Sequence, residues 1–186
     1  MGDRHLRIPQ INDYNFPSMT SKFKSRMPYW LLVLLVFFLD RWTKWLIVTR
    51  LLLNQTILVI DGFFNITYVK NTGVAFGIFD PVQSSLKSWI LAVLTIAAII
   101  GVLVYSWRTP LHHRVTQMGL SLILAGALGN LYDRITYGYV VDFIEVYFRN
   151  YRWPSFNIAD SAITTGVALL ALELFRKDTH DTPDGT

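Results

Sequence analysis

Apolar residues fall into four long runs, at about 29–48, 89–107, 115–132 and 156–175, separated by polar connections. Each is close to the ~20 residues that an α-helix needs to cross a hydrocarbon core of ~30 Å. Lipid offers the backbone no partners, so runs of this length predict helices. The second run has no charged residue, whereas the first contains Asp40 and Lys44. The third and fourth are rich in small residues, among them Gly119, Ala125, Gly126, Ala127 and Gly129, then Ala162, Gly166, Ala168 and Ala171. Small residues allow close helix contact within lipid.

The first connection has a different period. Thr56–Ile60 and Phe63–Val69 are β-branched and aromatic runs on either side of Asp61-Gly62, a strong short-range hairpin signal. The segment Asn71-Thr72-Gly73-Val74-Ala75-Phe76 passes from polar to apolar, which suits a turn leading back to the bilayer. The pattern predicts an α-helical integral membrane protein with four transmembrane helices and a small extracytoplasmic β-sheet lying on the membrane. Its expected divisions are an N-terminal extension (1–28), a membrane domain (29–175) and a tail (176–186). The first 20 residues and the stretch from Asp178 to Thr186 are expected to be weakly ordered. Residues 1–28 do not read as a cleavable signal peptide, and Leu6 stands where a myristoylation start carries Ser or Thr.

Composition strengthens this reading. A chain of 186 residues with 52% hydrophobic and 15% aromatic content is too apolar for an ordinary soluble domain. The net charge is +4 and the pI about 9.4, but the basic residues sit in short clusters beside the runs. These are Lys22, Lys24 and Arg26, then Arg108 and Arg114, then Arg176 and Lys177. They indicate topology rather than a nucleic-acid partner. By the positive-inside rule both termini are cytoplasmic, and the connections at about 49–88 and 133–155 face the other side.

With no cysteine in the chain, a disulfide framework, a thiolate metal site and a cysteine nucleophile are excluded. The adjacent pair His112-His113 lies in a cytoplasmic connection and lacks the helical spacing of a zinc protease. No metal or cofactor is expected. Serine chemistry needs a positioned base, yet no His lies on the extracytoplasmic side, and the Gly-x-Gly-Asp motif of presenilin-like proteases is absent.

The carboxylates remain. Asp40 and Lys44, spaced i,i+4, read as a structural pair, and Glu173, near Arg176 and Lys177, as an interfacial charge. Asn130, Asp133 and Arg134 close the third run. There they either satisfy free helix-end carbonyls and form an ion pair, or Asn130, which both donates and accepts, holds a substrate. Asp142 lies in the apolar stretch Tyr139-Val140-Val141-Asp142-Phe143-Ile144, where desolvation raises proton affinity. Asn157 suits the N-cap of the fourth helix, which puts Asp160 in its first turn, where the macrodipole favours negative charge. Singly, each aspartate has a bland structural account. Together they form the kind of unequal pair associated with acid and base roles.

Five stretches carry a resemblance to bacterial lipoprotein signal peptidase, or signal peptidase II, over about residues 29–175. They are Asp40-Arg41-Trp42-Thr43-Lys44, Asn71-Thr72-Gly73-Val74-Ala75-Phe76, Gly126-Ala127-Leu128-Gly129-Asn130-Leu131-Tyr132-Asp133-Arg134, Val140-Val141-Asp142-Phe143 and Phe156-Asn157-Ile158-Ala159-Asp160-Ser161. Arg41 departs from the family's usual Gln and Ala125 from its frequent Gly. The resemblance implies an aspartic endopeptidase with Asp142 and Asp160 as the catalytic dyad. It implies that Asn71, Asn130, Arg134 and Asn157 line or order the site, and that Asp40, Lys44 and Asp133 support it. The implied substrate is a prolipoprotein cleaved N-terminal to a diacylglyceryl-modified cysteine, and the implied inhibitor is globomycin. The expected setting is the bacterial inner membrane, with membrane lipids around a monomer. The rival reading is a small transporter subunit or assembly factor in which the charges only pair.

Overall fold

The structure, a computed structural model, describes residues 25–73, 81–149 and 151–178, apart from the side chains of 81–85 and 176–178. Among the described residues four helices form: α1 (Met27–Arg50), α2 (Pro81–Arg108), α3 (Arg114–Tyr137) and α4 (Ile158–Asp178). Prolines open α1 and α2, where the first-turn N–H has no intrahelical partner to lose. Three of the helical stretches are long and apolar enough to cross a membrane: Leu86–Arg108, Arg114–Tyr137 and Ile158–Phe175. The remaining helix, α1, has similar length but carries Asp40, Arg41 and Lys44 within it.

Helix α3 is central and packs on α1, α2 and α4, while α4 also reaches α1. The small residues of α3 and α4 meet closely. A Cβ on Gly126 would lie 2.2 Å from the Ala159 carbonyl oxygen, so only glycine lets the start of α4 rest against α3 at this height. Val33, Ile99, Leu124, Ala125 and Ala127 form one apolar core between α1, α2 and α3. A second core, Ile47, Leu51, Tyr68, Val141 and Phe143, joins α1 to the sheet.

That sheet has four antiparallel strands in the order β1 (Thr56–Ile60), β2 (Phe64–Asn71), β3 (Val140–Phe148) and β4 (Tyr151–Arg152). The hairpin expected at Asp61-Gly62 joins β1 to β2, and β2 runs to Asn71 rather than stopping at Val69. The pairing of β2 with β3 is long-range, because α2 and α3 lie between them in the chain. The apolar stretch around Asp142 is therefore a strand, with Val140–Phe143 buried. A bridge from Ile144 to Phe156 pins the segment before α4 to β3. Its bonds run from the Phe143 and Ile144 amides to the Phe156 carbonyl, at 3.0 and 2.8 Å.

One expectation needs correction. The pattern ends the third run near Tyr132, with Asn130, Asp133 and Arg134 either at free carbonyls and in an ion pair or, for Asn130, holding a substrate. Instead α3 continues to Tyr137 and ends at Gly138, whose φ of 76° allows its N–H to bond the Arg134 carbonyl at 3.1 Å. The three side chains thus project from continuous helix toward neighbouring elements. Residues 74–76 of the expected turn, the extension 1–20 and residues 179–186 lie outside the described residues. Asp178 is the last residue of α4.

Candidate functional site

Four charges from α1 and α3 make a closed set beneath the sheet. Asp40 bonds Arg41 at 2.7 Å and Lys44 at 3.0 Å, while Asp133 bonds Arg41 at 2.5 Å and Lys44 at 2.9 Å. Asp40 and Asp133 are fully buried and Lys44 nearly so. Buried ions are tolerable only when paired and further hydrogen-bonded, and the set is neutral with two charges of each sign. The expected i,i+4 pair of Asp40 and Lys44 is real but only one side of it. Asp133 pairs with α1 rather than with its neighbour Arg134.

Two further carboxylate bonds show what this set supports. Asp40 Oδ1 accepts the Ala159 N–H at 3.0 Å, and Asp133 Oδ2 accepts the Val141 N–H at 3.2 Å. Ala159 and Val141 are the residues immediately before Asp160 and Asp142. The neutral charge set therefore holds the backbone beside each candidate aspartate. Arg41, noted in the sequence only as a departure, is an integral member that bridges both carboxylates. Its place on the helix beside Asp40 was the one available signal.

Asparagines connect this support to the aspartates. Lys44 donates to Asn130 Oδ1 at 3.0 Å, and because an ammonium only donates, the amide must turn its NH₂ the other way. That NH₂ donates to Asp160 Oδ1 at 2.7 Å. Asn157, fully buried, is the expected N-cap of α4. Its Oδ1 accepts the Asp160 N–H at 2.9 Å, and Asp160 Oδ2 accepts the Asn157 N–H at 3.2 Å, a reciprocal capping box. The Asn157 NH₂ then donates to Asp142 Oδ1 at 2.7 Å and, more weakly, to the Asn130 and Val141 oxygens at 3.3 Å. One side chain thus touches both aspartates.

The sheet supplies the last partner. Val69 pairs with Asp142 and Asn71 with Val140, so Asn71 and Asp142 are diagonal neighbours on one face. Asn71 donates to Asp142 Oδ2 at 2.9 Å and accepts the Gly73 N–H at 2.7 Å.

Asp142 is 1% exposed, and burial pushes its pKa from the ordinary 3.8 up to about 6. The Asn71 and Asn157 bonds oppose this shift, while the negative charge of Asp160 adds to it. The Arg134 side chain has no ion pair or hydrogen bond among the described residues, yet lies within electrostatic range of Asp160, Asp142 and Asp133. Asp40, Lys44, Asp133, Asn130, Asp160, Asn157, Asp142 and Asn71 are thus joined in one bonded network, to which Arg134 is linked only electrostatically. Among the described residues no group of three or more His, Cys, Asp and Glu is placed to hold a metal.

Bundle and centre together define an α-helical membrane protein whose polar chemistry rests on carboxylates and amides. Comparison with known proteins narrows the class. The family model for signal peptidase II matches residues 32–176. Lipoprotein signal peptidase of Solibacter usitatus (strain Ellin6076) is 46% identical over 142 residues, covering 76% of this chain and 87% of that protein. Its counterpart in Syntrophus aciditrophicus (strain SB) is 41% identical over 143 residues, covering 77% and 89%. A bacterial membrane enzyme solved by the in meso method at 2.3 Å resolution superposes with a TM-score of 0.73 at 34% identity, covering 86% of this chain and 94% of that one. The chain belongs to the signal peptidase II family.

Proposed function

We propose that the protein is an aspartic endopeptidase in which Asp142 and Asp160 are the catalytic pair. As a signal peptidase II it removes the signal peptide from lipoprotein precursors. The cut is made N-terminal to a cysteine that already carries a diacylglyceryl group. The observation that carries the mechanism is the sharing of Asn157 between the two carboxylates, which makes them one hydrogen-bonded unit.

The four-charge set is neutral, which leaves Asp142, Asp160 and Arg134 to balance one another. With one proton on the pair the remaining charges cancel, so a singly protonated dyad suits a buried site. Asp142, in the drier setting, holds that proton, and Asp160, at a helix start with an amide and a backbone N–H on its oxygens, carries the charge. Asp160 takes a proton from water as the oxygen attacks the scissile carbonyl carbon, while Asp142 donates its proton to the carbonyl oxygen. Collapse of the tetrahedral adduct breaks the C–N bond. The proton held by Asp160 passes to the departing amine, and the hydroxyl proton returns to Asp142. Asn71, Asn130 and Asn157 keep the carboxylates aligned, and Arg134 offsets negative charge beside them.

This reading places α1 across the bilayer as well, its charges turned inward onto α3. It gives four crossings in a bacterial inner membrane, both termini cytoplasmic and the aspartates at the extracytoplasmic face. Residues 1–28 and 176–186 flank one membrane domain that acts as a monomer within lipid. Membership of a peptidase family does not favour the transporter or assembly-factor alternative.

In a prolipoprotein cleavage assay, Asp142→Asn and Asp160→Asn should each lose nearly all activity while folded protein is recovered. Cleavage retained by both variants would overturn the assignment. Globomycin should inhibit the wild type.

A further inference from the structure

At the end of the bundle away from the aspartates, α2 and α4 stand apart. No Cα of one comes within 8 Å of the other, and the gap, floored by the start of α3, holds a cavity of about 620 Å³. That is a size typical of small-ligand sites. Its walls include Tyr105 and Arg108 of α2, Thr116 of α3, and Leu170, Glu173 and Leu174 of α4.

Opposite charges facing one cavity point to a ligand. Arg108 and Glu173 face the same space, yet among the described residues neither has an ion-pair partner, including the other. Thr116, 7% exposed, presents a hydroxyl to the same cavity. The apolar wall of Leu170 and Leu174 continues from these polar groups toward the middle of α4.

We propose that this cavity binds the headgroup of a zwitterionic membrane phospholipid bearing a phosphate and a primary ammonium. The phosphate lies toward Arg108 and Thr116, the ammonium toward Glu173, and the acyl chains along Leu170 and Leu174. An anionic headgroup would satisfy Arg108 but set its charge against Glu173. A cationic peptide end would satisfy Glu173 but face Arg108. A quaternary ammonium has no N–H to give the carboxylate. The site stands apart from the aspartate centre and does not depend on the protease reading.

The test is native mass spectrometry of the full chain in detergent, titrated with short-chain phosphatidylethanolamine, phosphatidylcholine and phosphatidylglycerol. Wild type should retain phosphatidylethanolamine about tenfold more tightly than the other two, the size of one charge-assisted hydrogen bond. Glu173→Gln should erase that preference. Arg108→Gln should weaken all three lipids about tenfold, and Thr116→Val should weaken all three less while keeping the preference. Peptidase kcat should stay near the wild-type value in each. Equal retention of the three lipids by wild type, or a preference that survives Glu173→Gln, overturns the proposal. So does a raised KM for prolipoprotein in Glu173→Gln with lipid retention unchanged, since the cavity would then belong to the substrate's signal segment.

Discussion

Lys44 compensates two buried carboxylates and also turns the Asn130 amide toward Asp160. Lys44→Met should therefore destabilise the fold by about 3–5 kcal/mol, the usual result of leaving buried charge unpaired. A thermal melt in detergent would read it, and any folded fraction should cleave poorly because Asn130 loses its orienting donor. Asp142 makes a prediction in pH. Its folded pKa, about 6, lies above the ordinary 3.8, so between those values the folded protein binds more protons than the unfolded chain. Its contribution to stability is full below about pH 4 and is lost as pH rises through 6. Asp142→Asn should remove that slope from a melting-temperature profile. If Asp142 is the acid, kcat/KM of the wild type should fall along a basic limb starting near pH 6.

Among the elements, the contact of α3 with α4 sets the height of Asp160, and Gly126 makes it possible. Gly126→Ala should cost about 1–3 kcal/mol by overpacking. The new methyl meets the Ala159 carbonyl as well as the Ile163 side chain, and because the backbone cannot turn aside α4 must shift, so kcat should fall more than KM rises. Gly101 in α2 is the control, since a Cβ there meets nothing within 4 Å. Gly101→Ala should leave cleavage unchanged and gain up to about 1 kcal/mol from helix propensity. The two strands that frame the site contrast in legibility. β1 and β2 follow from two β-branched and aromatic runs and a turn signal within 16 residues, from Thr56 to Asn71. β3 could be read only as an apolar stretch, because its partner is brought to it by two intervening helices.

At the scale of the whole molecule, topology is testable because the chain has no cysteine to remove. Cysteines placed singly at the exposed positions Asp61 and His112 should react with a membrane-impermeant maleimide from opposite sides of the bilayer. Asp61→Cys should label in intact spheroplasts and His112→Cys only after permeabilisation. Labelling of both from one side would contradict four crossings, and with them the extracytoplasmic position of the aspartates.

Helix number, the β1–β2 hairpin, the N-cap role of Asn157 and the pairing of Asp40 with Lys44 were all determined by local sequence. Each rests on a spacing of four residues or fewer, on two adjacent β-prone runs with a turn between them, or on a run long enough to cross lipid. The residues of the site were legible as types and motifs. Their connections were decided by tertiary structure alone: Asp133 turned to α1 instead of Arg134, Arg41 joining two carboxylates, Asn71 reaching Asp142 across a long-range strand pair, and buried acids gripping Val141 and Ala159. Apart from the adjacent pair Asp40 and Arg41, these contacts join residues 8 to 119 positions apart in the chain. No periodicity encodes such pairings; they follow from which helix faces are small enough to close on one another and which charges must then find partners away from water.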